Sequence, residues 1–253
     1  MFDITRYASV NADHAAPDTS EKYSFIPTTR VLDVLADSGW LPSKVMETRA
    51  RKNKGYQKHM VRLRRSSGPM AVGDSIPEIL LINSHAGTAA FSFLCGLFEL
   101  ICSNGLVIAR ESYGAARVTH RGFTEDKVAI ALDSTLANFD KVLDSRERML
   151  GIELTRPEQL VFAESVIPLV SNGGKFTARP EDLIAAPIRG QLEPSLWNTY
   201  NTIQRNVIEG NVSRTNTQTH RTRRSSAVKN IAKNVALNEA LWTLAEKMAE
   251  LKS

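Results

Sequence analysis

The spacing of hydrophobic and polar residues in the first half of the chain switches between a helical and an extended period. Apolar residues three and four apart predict a helix over residues 28–38. Alternation and β-compatible residues predict strands over 40–51, 56–65 and 77–85, and the third is apolar enough to be buried on both faces. A run with helical spacing then predicts an apolar helix over 88–103.

Helical spacing dominates the rest of the chain, after two short predicted strands at 106–109 and 113–120. Helices are predicted over four segments: 128–143, 155–170, 194–209 and 238–252. The second of these begins with the capping box Thr155-Arg156-Pro157-Glu158, which fixes its first turn.

These elements predict an α+β fold. An antiparallel β-meander that includes a basic hairpin has helices packed on one face, and its other face is open. The core order is helix, three strands, helix, and a helical C-terminal region follows. We expect a polar N-terminal arm over 1–22, the α+β core over 23–122, and a mainly helical region over 123–253 that packs on the core as one domain. Within that region, residues 210–226 are predicted to form a mobile basic loop.

The composition of the chain, with 253 residues of which 42% are hydrophobic and 23% charged, predicts a globular protein. No apolar run approaches the ~20 residues of a membrane span, and residues 1–20 lack the apolar core of a signal peptide. Cys95 and Cys102 are too far apart along one predicted helix for a disulfide, so we expect reduced thiols and a cytoplasmic location. We expect neither a cofactor nor a metal.

Positive charge is concentrated between residues 40 and 65, where nine Lys and Arg residues accompany the single acid Glu47. A focused field of cations suits a polyanion, and nucleic acid is the leading candidate. The side chains expected to hold phosphates are Arg49, Arg51, Lys52, Lys54, Lys58, Arg62, Arg64 and Arg65. Tyr56 is expected to stack on a base. The alternative is a solvated edge strand, since edge strands are often charged.

A second basic cluster lies in the segment predicted to be mobile. Arg221, Arg223 and Arg224 are expected to hold phosphates from a flexible arm that closes over a nucleic-acid backbone. The alternative is a disordered polar loop without a ligand.

The third candidate is the motif Asn83-Ser84-His85-Ala86-Gly87-Thr88, at a predicted junction between strand and helix. Asn83, Ser84, His85 and Thr88 are expected either to contact a phosphate or another ligand or to form a capped turn with internal hydrogen bonds. Neighbouring residues of a strand point to opposite faces, which argues against a catalytic Ser84–His85 pair.

Enzyme signatures are absent from the sequence. It contains no P-loop, H-E-x-x-H, G-x-S-x-G or G-x-G-x-x-G motif, and its histidines are isolated along the chain. We therefore expect no catalytic residue. A metal-dependent nuclease is a further reading, but it lacks a recognisable set of carboxylates.

Several segments together resemble one known family: 23–28, 59–64, 77–88, 97–98, 101–106 and 241–246. The N-S-H-x-G-T and C-S-N-G-L motifs are the most specific. Over residues 23–252 the chain resembles the phage/plasmid-like proteins grouped as domain of unknown function 932. The resemblance implies residence on phages, plasmids or integrated islands, and a role in replication, recombination or anti-defence. It carries over no catalytic residue.

The predicted order of helix, three strands and helix is also similar to the core of single-strand annealing proteins, where a basic hairpin lines a groove in an oligomeric ring. Double-stranded-RNA-binding domains share this order, and fold does not fix function. We expect a cytoplasmic homo-oligomer that binds single-stranded DNA without catalysis, and anneals strands in phage or plasmid recombination or replication.

The alternative function is a protein-interaction or anti-defence module with an element-encoded or host protein partner and no direct contact with nucleic acid. Its surface would include Trp197, Tyr200 and Trp242, which fit a hydrophobic core as well. No membrane partner is expected in either case.

Overall fold

The computed structural model describes residues 2–66, 75–99, 104–108, 115–120, 124–185 and 193–252. Its elements in chain order are α1 (Thr28–Asp37), β1 (Trp40–Glu47), β2 (His59–Arg65), β3 (Ser75–Asn83), β4 (Phe91–Glu99), β5 (Asn104–Ile108), β6 (Ala116–Val118), α2 (Glu125–Leu136), α3 (Phe139–Leu150), α4 (Arg156–Val170), β7 (Phe176–Thr177), α5 (Pro180–Leu183), α6 (Leu196–Glu209), β8 (Ser213–Asn216), β9 (Thr222–Arg224) and α7 (Ile231–Lys252). The α+β class is confirmed.

The chain divides into two compact units. The first comprises residues 1–98, 107–140 and 229–231, and the second comprises 99–106, 141–228 and 232–253. Of the described helices, none is long and apolar enough to cross a membrane.

A meander of five strands, in the order β1-β2-β3-β4-β5, forms the larger sheet, and β6 pairs with β4. β2 is antiparallel to both β1 and β3. Val61 lies opposite Val45 on one side and Leu81 on the other, so the apolar positions of three strands share one face. This register agrees with the predicted meander and its basic hairpin.

The core of the first unit lies against that face of the sheet. Val61 and Leu81 from the strands pack in one cluster with Leu35 of α1 and Leu132 of α2. The amphipathic stripe of each helix accounts for this packing, because burial of apolar area is the main stabilising term. The opposite face was expected to be open, and that prediction is wrong, since Met60 and Leu80 are also buried.

The segment predicted as a second apolar helix, 88–103, contains strand β4 instead. Every residue from Phe91 to Leu97 is buried. A strand buried on both faces is a continuous apolar run, and its period cannot be distinguished from that of a buried helix. Residues 100–103, the end of the predicted helix, lie outside the described residues.

The N-terminal segment was predicted to be a polar arm, and the structure corrects this. Val10 and Ala16 are almost completely buried, and Val10 belongs to the core of the first unit. The backbone N–H of Ala16 donates to the carbonyl of His85 at 2.9 Å. A few apolar residues and main-chain hydrogen bonds thus hold this polar segment against the fold.

The second unit is mainly helical. The predicted capping box is confirmed, since the N–H of Thr155 donates to the Glu158 carboxylate at 2.8 Å at the start of α4. Trp197, Tyr200 and Trp242 from α6 and α7 contact one another and are buried. The surface that the alternative function required is therefore core.

Residues 210–226 were predicted to be a mobile loop, but most of them form a hairpin. β8 and β9 are antiparallel and extend a small sheet in the order β7-β8-β9. The hydroxyls of Thr215 and Thr222 lie 2.8 Å apart across the pair, and the Asn216 side chain accepts two backbone N–H groups in the turn. Threonine favours strands, and asparagine favours turns.

Gly210, which ends α6 with a φ of +83°, offers a sharp test of this arrangement. A Cβ here would lie 2.4 Å from backbone atoms of Ser226 and Ala227, whereas one at Gly173, with a φ of +66°, would meet nothing within 4 Å. We predict that Gly210→Ala lowers the free energy of unfolding by at least ~3 kcal/mol and Gly173→Ala by about 1 kcal/mol. Urea unfolding followed by circular dichroism measures both, and equal losses would contradict the close approach.

Candidate functional site

The basic connection, residues 48–58, joins β1 to β2. Its base is closed by a hydrogen bond from the N–H of Thr48 to the carbonyl of Lys58, at 2.9 Å. Asn53 and Gly55 adopt positive φ values of 56° and 88°, so the chain turns where the sequence predicts. The two strands are shorter than predicted, and most of the cations between them lie on this connection rather than in the ladder.

The N-terminal segment brings acidic and aromatic partners to the basic connection. Asp18 accepts from Lys52 at 2.8 Å and from the Asn53 amide at 2.6 Å, and these bonds hold the pKa of Asp18 below its ordinary value. The Tyr56 hydroxyl is bonded to Nε2 of His14. Lys52 and Tyr56 are thus already engaged within the protein.

Arg62 and Arg64 do not form the phosphate-binding face predicted for them. Both donate to the carboxylate of Glu78, Arg62 through Nη1 and Arg64 through Nε at 2.8 Å. Glu78 is fully buried and Arg62 is 5% exposed, so this is an ion pair inside the protein. Arg64 also lies 3.9 Å from the centroid of the Phe98 ring. The sequence prediction is wrong for Arg62, because a buried guanidinium cannot reach a phosphate.

Besides Lys52, five cations of the predicted set remain at the surface of the first unit. Arg49, Arg51, Lys54 and Arg65 are exposed and Lys58 is half-buried. The Arg65 guanidinium lies 5.6 Å from the centroid of the Trp40 ring. Among the described residues none of the five has an acidic partner.

The hairpin of β8 and β9 carries the second basic cluster. Arg221, Arg223 and Arg224 are exposed, and no acidic residue occurs in the sequence between Glu209 and Glu239. Arg223 lies 5.1 Å from the centroid of the Phe176 ring on β7, in cation–π contact.

Arg214 shares the hairpin but is held internally. It is half-buried and donates to the carbonyl of Val170 at 3.1 Å. Its guanidinium also lies 4.8 Å from the centroid of the Phe176 ring. Burial, followed by the charge of Arg223, lowers the pKa of Arg214. The cluster that faces solvent is therefore Arg221, Arg223 and Arg224.

The motif at residues 83–88 forms a turn between β3 and β4, with no helix after it. The Asn83 amide donates to the carbonyl of Ile26 and to the hydroxyl of Thr28, at 3.1 and 3.0 Å. The hydroxyls of Ser84 and Thr88 lie 2.7 Å apart, which ties the two ends of the turn together. Asn83, Ser84 and His85 are buried, so they shape the loop, and only Thr88 is exposed.

Three histidines that are distant in sequence come together around this motif. His59 and His85 both contact the hydroxyl of Thr28, at 2.9 and 3.2 Å through Nε2. Nδ1 of His120 lies 3.0 Å from the carbonyl of Ser24. The sequence reading of isolated histidines missed this cluster, although the pairing of β2 with β3 places His59 opposite Asn83.

Burial keeps this histidine cluster neutral. Burial lowers the pKa of His59 to about 4 and that of His85 to about 3. The charges of the two other histidines also lower the pKa of His85. The pKa of His120 is also lowered by burial, against the opposing effect of nearby backbone. In the described part of the chain, no three His, Cys, Asp or Glu side chains are arranged to hold a metal ion. Cys95 is a buried free thiol whose pKa is raised to about 12 by burial.

A cavity of about 630 Å³ lies beside the motif, within the first unit. It is lined by the N-terminal segment, by the loop that follows Ser84 and by residues of β6 and just after it: Asp18, Thr19, Ser20, Lys22, Tyr23, Ala86, Gly87, Thr88, Ala89, Ala90, Arg117, Thr119 and His120. Thr88 is the residue of the predicted ligand set that reaches it.

Comparison with known proteins places this architecture in a family. A family model described as "Domain of unknown function (DUF932)" matches residues 18–242, and the chain belongs to this family. It is similar to the UPF0380 protein YfjQ of Escherichia coli (strain K12), with 37% identity over 243 residues that cover 95% of this chain and 87% of the relative. The UPF0380 protein YafZ of the same strain shows the same identity and coverage. No solved structure matches the chain.

The buried ion pair predicts different effects for neighbouring arginines. Arg62→Ala leaves the Glu78 carboxylate buried with one of its cations lost, and should lower the free energy of unfolding by about 3–5 kcal/mol. Arg65→Ala, at an exposed position, should change it by less than about 1 kcal/mol. Chemical denaturation compares the two variants, and a small effect of Arg62→Ala would contradict the structural role of this arginine.

The histidine cluster predicts a pH dependence of stability. The folded pKa values of His59 and His85 lie below the ordinary 6.5, so the folded state binds fewer protons than the unfolded state between that value and about 4. Stability should therefore fall as pH falls from 6.5 toward 4, by about 1.4 kcal/mol per pH unit for each histidine.

Urea unfolding at intervals between pH 7.5 and 4.5 measures this slope. His59→Gln should make the dependence shallower by about the share of one histidine, whatever its effect on stability at pH 7.5. A free energy of unfolding that stays constant over this range would contradict a neutral buried cluster.

Proposed function

We propose that this protein binds single-stranded DNA without catalysis and promotes strand annealing. The observation that carries the proposal is the β8–β9 hairpin, whose Arg221, Arg223 and Arg224 are exposed within an acid-free stretch. Arginine is suited to phosphate because its planar guanidinium donates several hydrogen bonds at once. An exposed two-stranded ribbon can present these groups to a flexible backbone.

The basic connection of the first unit supports the same proposal. Arg49, Arg51 and Lys54 are exposed without an acidic partner among the described residues, and Lys58 adds a half-buried cation. Arg65 and Lys52 are secondary candidates, because the first lies over Trp40 and the second is paired with Asp18.

Base readout is a minor part of this proposal. Contacts to phosphates give affinity that is independent of sequence, which suits a protein that must leave bases free to pair. Tyr56 remains the candidate for stacking, since its ring is half-buried and meets His14 edge-on, at 5.3 Å between centroids.

The cellular setting belongs to the proposal as well. We place the activity in the cytoplasm, in replication or recombination of a mobile element, and in a homo-oligomer that holds several stretches of strand. The reduced, buried Cys95 agrees with such a compartment. The alternative of a protein-interaction module has lost its proposed aromatic surface, because Trp197, Tyr200 and Trp242 are buried.

Fluorescence anisotropy with labelled single- and double-stranded DNA across a salt series tests the proposal. We expect binding that prefers single strands. For each phosphate contact, the logarithm of the binding constant should fall by about 0.7 per tenfold rise in salt concentration. Arg221→Gln/Arg223→Gln/Arg224→Gln should weaken binding at least tenfold and reduce the salt slope by about 2. A parallel variant, Arg49→Gln/Arg51→Gln/Lys54→Gln, tests the basic connection.

The matched control removes three exposed cations from helices α3 and α4: Lys141→Gln/Arg148→Gln/Arg156→Gln. It changes the net charge equally, so it should leave most of the affinity if the hairpin is the contact. An equal loss of affinity in the hairpin variant and in the control would show a general charge effect and contradict the hairpin contact. Absence of DNA binding by the unaltered protein at low salt would overturn the proposal. Charge reversal at Arg62 is unsuitable, because it would disrupt the buried pair with Glu78.

A further inference from the structure

The cavity beside residues 84–90 has a chemistry that the proposed DNA-binding surfaces do not use. Two exposed cations, Lys22 and Arg117, lie on its border, and the hydroxyls of Thr19 and Thr88 add hydrogen-bonding groups. Its one acidic group, Asp18, already accepts from Lys52 and Asn53. The available charge at this cavity is therefore positive, which favours an anionic ligand.

His120 supplies the second observation. It lines the cavity and is 7% exposed, and its Nε2 is buried without a hydrogen-bond partner. The backbone of Ala89 opposes the lowering of the His120 pKa by burial, yet Nε2 has no hydrogen bond of standard geometry. An unpartnered buried polar atom is rare in proteins, and a ligand that fills the cavity would explain it.

The tautomer of His120 indicates what this ligand must offer. Nδ1 lies 3.0 Å from the carbonyl of Ser24, which can only accept, so Nδ1 carries the proton. Because the ring is neutral, Nε2 then holds a lone pair. Its partner must be a donor, such as a hydroxyl group.

The surrounding groups fix the position of this acceptor. Tyr23 stacks on the His120 ring at 4.5 Å between centroids, and its hydroxyl donates to the carbonyl of Ser84 at 2.8 Å. Gly87, with a φ of +66°, lets the loop turn close to Tyr23, where an added Cβ would lie 3.8 Å from the ring. The cavity is thus built by contacts between the loop and residues 19–24.

We propose that this cavity binds a sugar phosphate. Lys22 and Arg117 hold the phosphate, and a sugar hydroxyl donates a hydrogen bond to Nε2 of His120. A nucleotide carries both groups, either as a free molecule or as the terminus of a nucleic-acid strand. None of the cations assigned to DNA binding lines this cavity, so it can bind its ligand whether or not those cations bind DNA.

Isothermal titration calorimetry with three probes tests the two requirements. Ribose 5-phosphate carries both the anion and the hydroxyl donors, sulfate carries charge without a donor, and ribose carries donors without charge. We expect ribose 5-phosphate to bind at least tenfold more tightly than either of the others. Equal affinity for sulfate would reduce the cavity to a simple anion site, and no binding of ribose 5-phosphate would overturn the proposal.

Variants at the cavity identify the groups involved. Lys22→Gln/Arg117→Gln should weaken ribose 5-phosphate at least tenfold, and Lys44→Gln/Lys127→Gln, which removes two exposed cations elsewhere in the first unit, should not. His120→Phe keeps an aromatic ring against Tyr23 and should weaken ribose 5-phosphate but leave sulfate unchanged. Unaltered binding in the first variant would place the ligand elsewhere.

A measurement on the unaltered protein covers the case in which His120→Phe does not fold. Long-range ¹H–¹⁵N NMR of the histidine rings should show a change at Nε2 of His120 when ribose 5-phosphate saturates the site, and none with sulfate. Unchanged ring shifts would contradict the hydroxyl contact.

The source of the ligand is resolved in a variant that combines Arg221→Gln/Arg223→Gln/Arg224→Gln with Arg49→Gln/Arg51→Gln/Lys54→Gln, where DNA binding by both basic surfaces is weakened. Tighter binding of adenosine monophosphate than of a 5′-phosphorylated oligonucleotide indicates a free nucleotide, and the reverse indicates a strand terminus. Loss of hairpin binding with retained sugar-phosphate binding separates this proposal from the one on DNA. If neither adenosine monophosphate, nor the oligonucleotide, nor ribose 5-phosphate binds, the sugar-phosphate proposal is overturned.

Discussion

The first unit depends on one buried carboxylate. Glu78 on β3 accepts from Arg62 and Arg64 on β2, in a sheet whose two faces are both buried. Strand pairing that places Leu63 opposite Ile79 brings the three charged groups to one face, and a slip by one residue would move Glu78 to the other. The ion pair therefore specifies the register of β2 and β3. Arg62 and Arg64, which the sequence predicts to bind a polyanion, therefore pair with Glu78 inside the protein.

Polar groups of the same two strands also organise the candidate ligand cavity. The Thr28 hydroxyl joins His59 on β2 with Asn83 and His85 at the end of β3. Hydrogen bonds that share one buried hydroxyl hold these side chains in place, because movement would leave further polar groups unpaired. They therefore hold the following loop in the conformation that forms one wall of the cavity. Nδ1 of His85 and Nε2 of His120 are both buried there without a hydrogen-bond partner, and of these two residues His120 lines the cavity.

The surface cations that stay available to a ligand are those without an acidic partner. On the basic connection, the N-terminal segment neutralises Lys52 through Asp18, while Arg49, Arg51 and Lys54 stay exposed. On the β8–β9 hairpin, the absence of acids nearby in sequence leaves three arginines exposed. One of these surfaces belongs to each unit, and the exposed cations of each suit a phosphate backbone. The proposed sugar-phosphate site differs from both, because it combines positive charge with a buried acceptor.

The sequence alone determined the α+β class, the basic hairpin, the capping box at Thr155 and the family, since these depend on local periodicity and short motifs. It did not identify β4, because a strand buried on both faces and a buried helix have the same apolar run. Nor did it show which arginines are free or that three histidines meet, since partners such as Glu78 and Thr28 lie far along the chain. Only the tertiary structure decides these pairings, because strand register and burial determine which charged groups stay in contact with water.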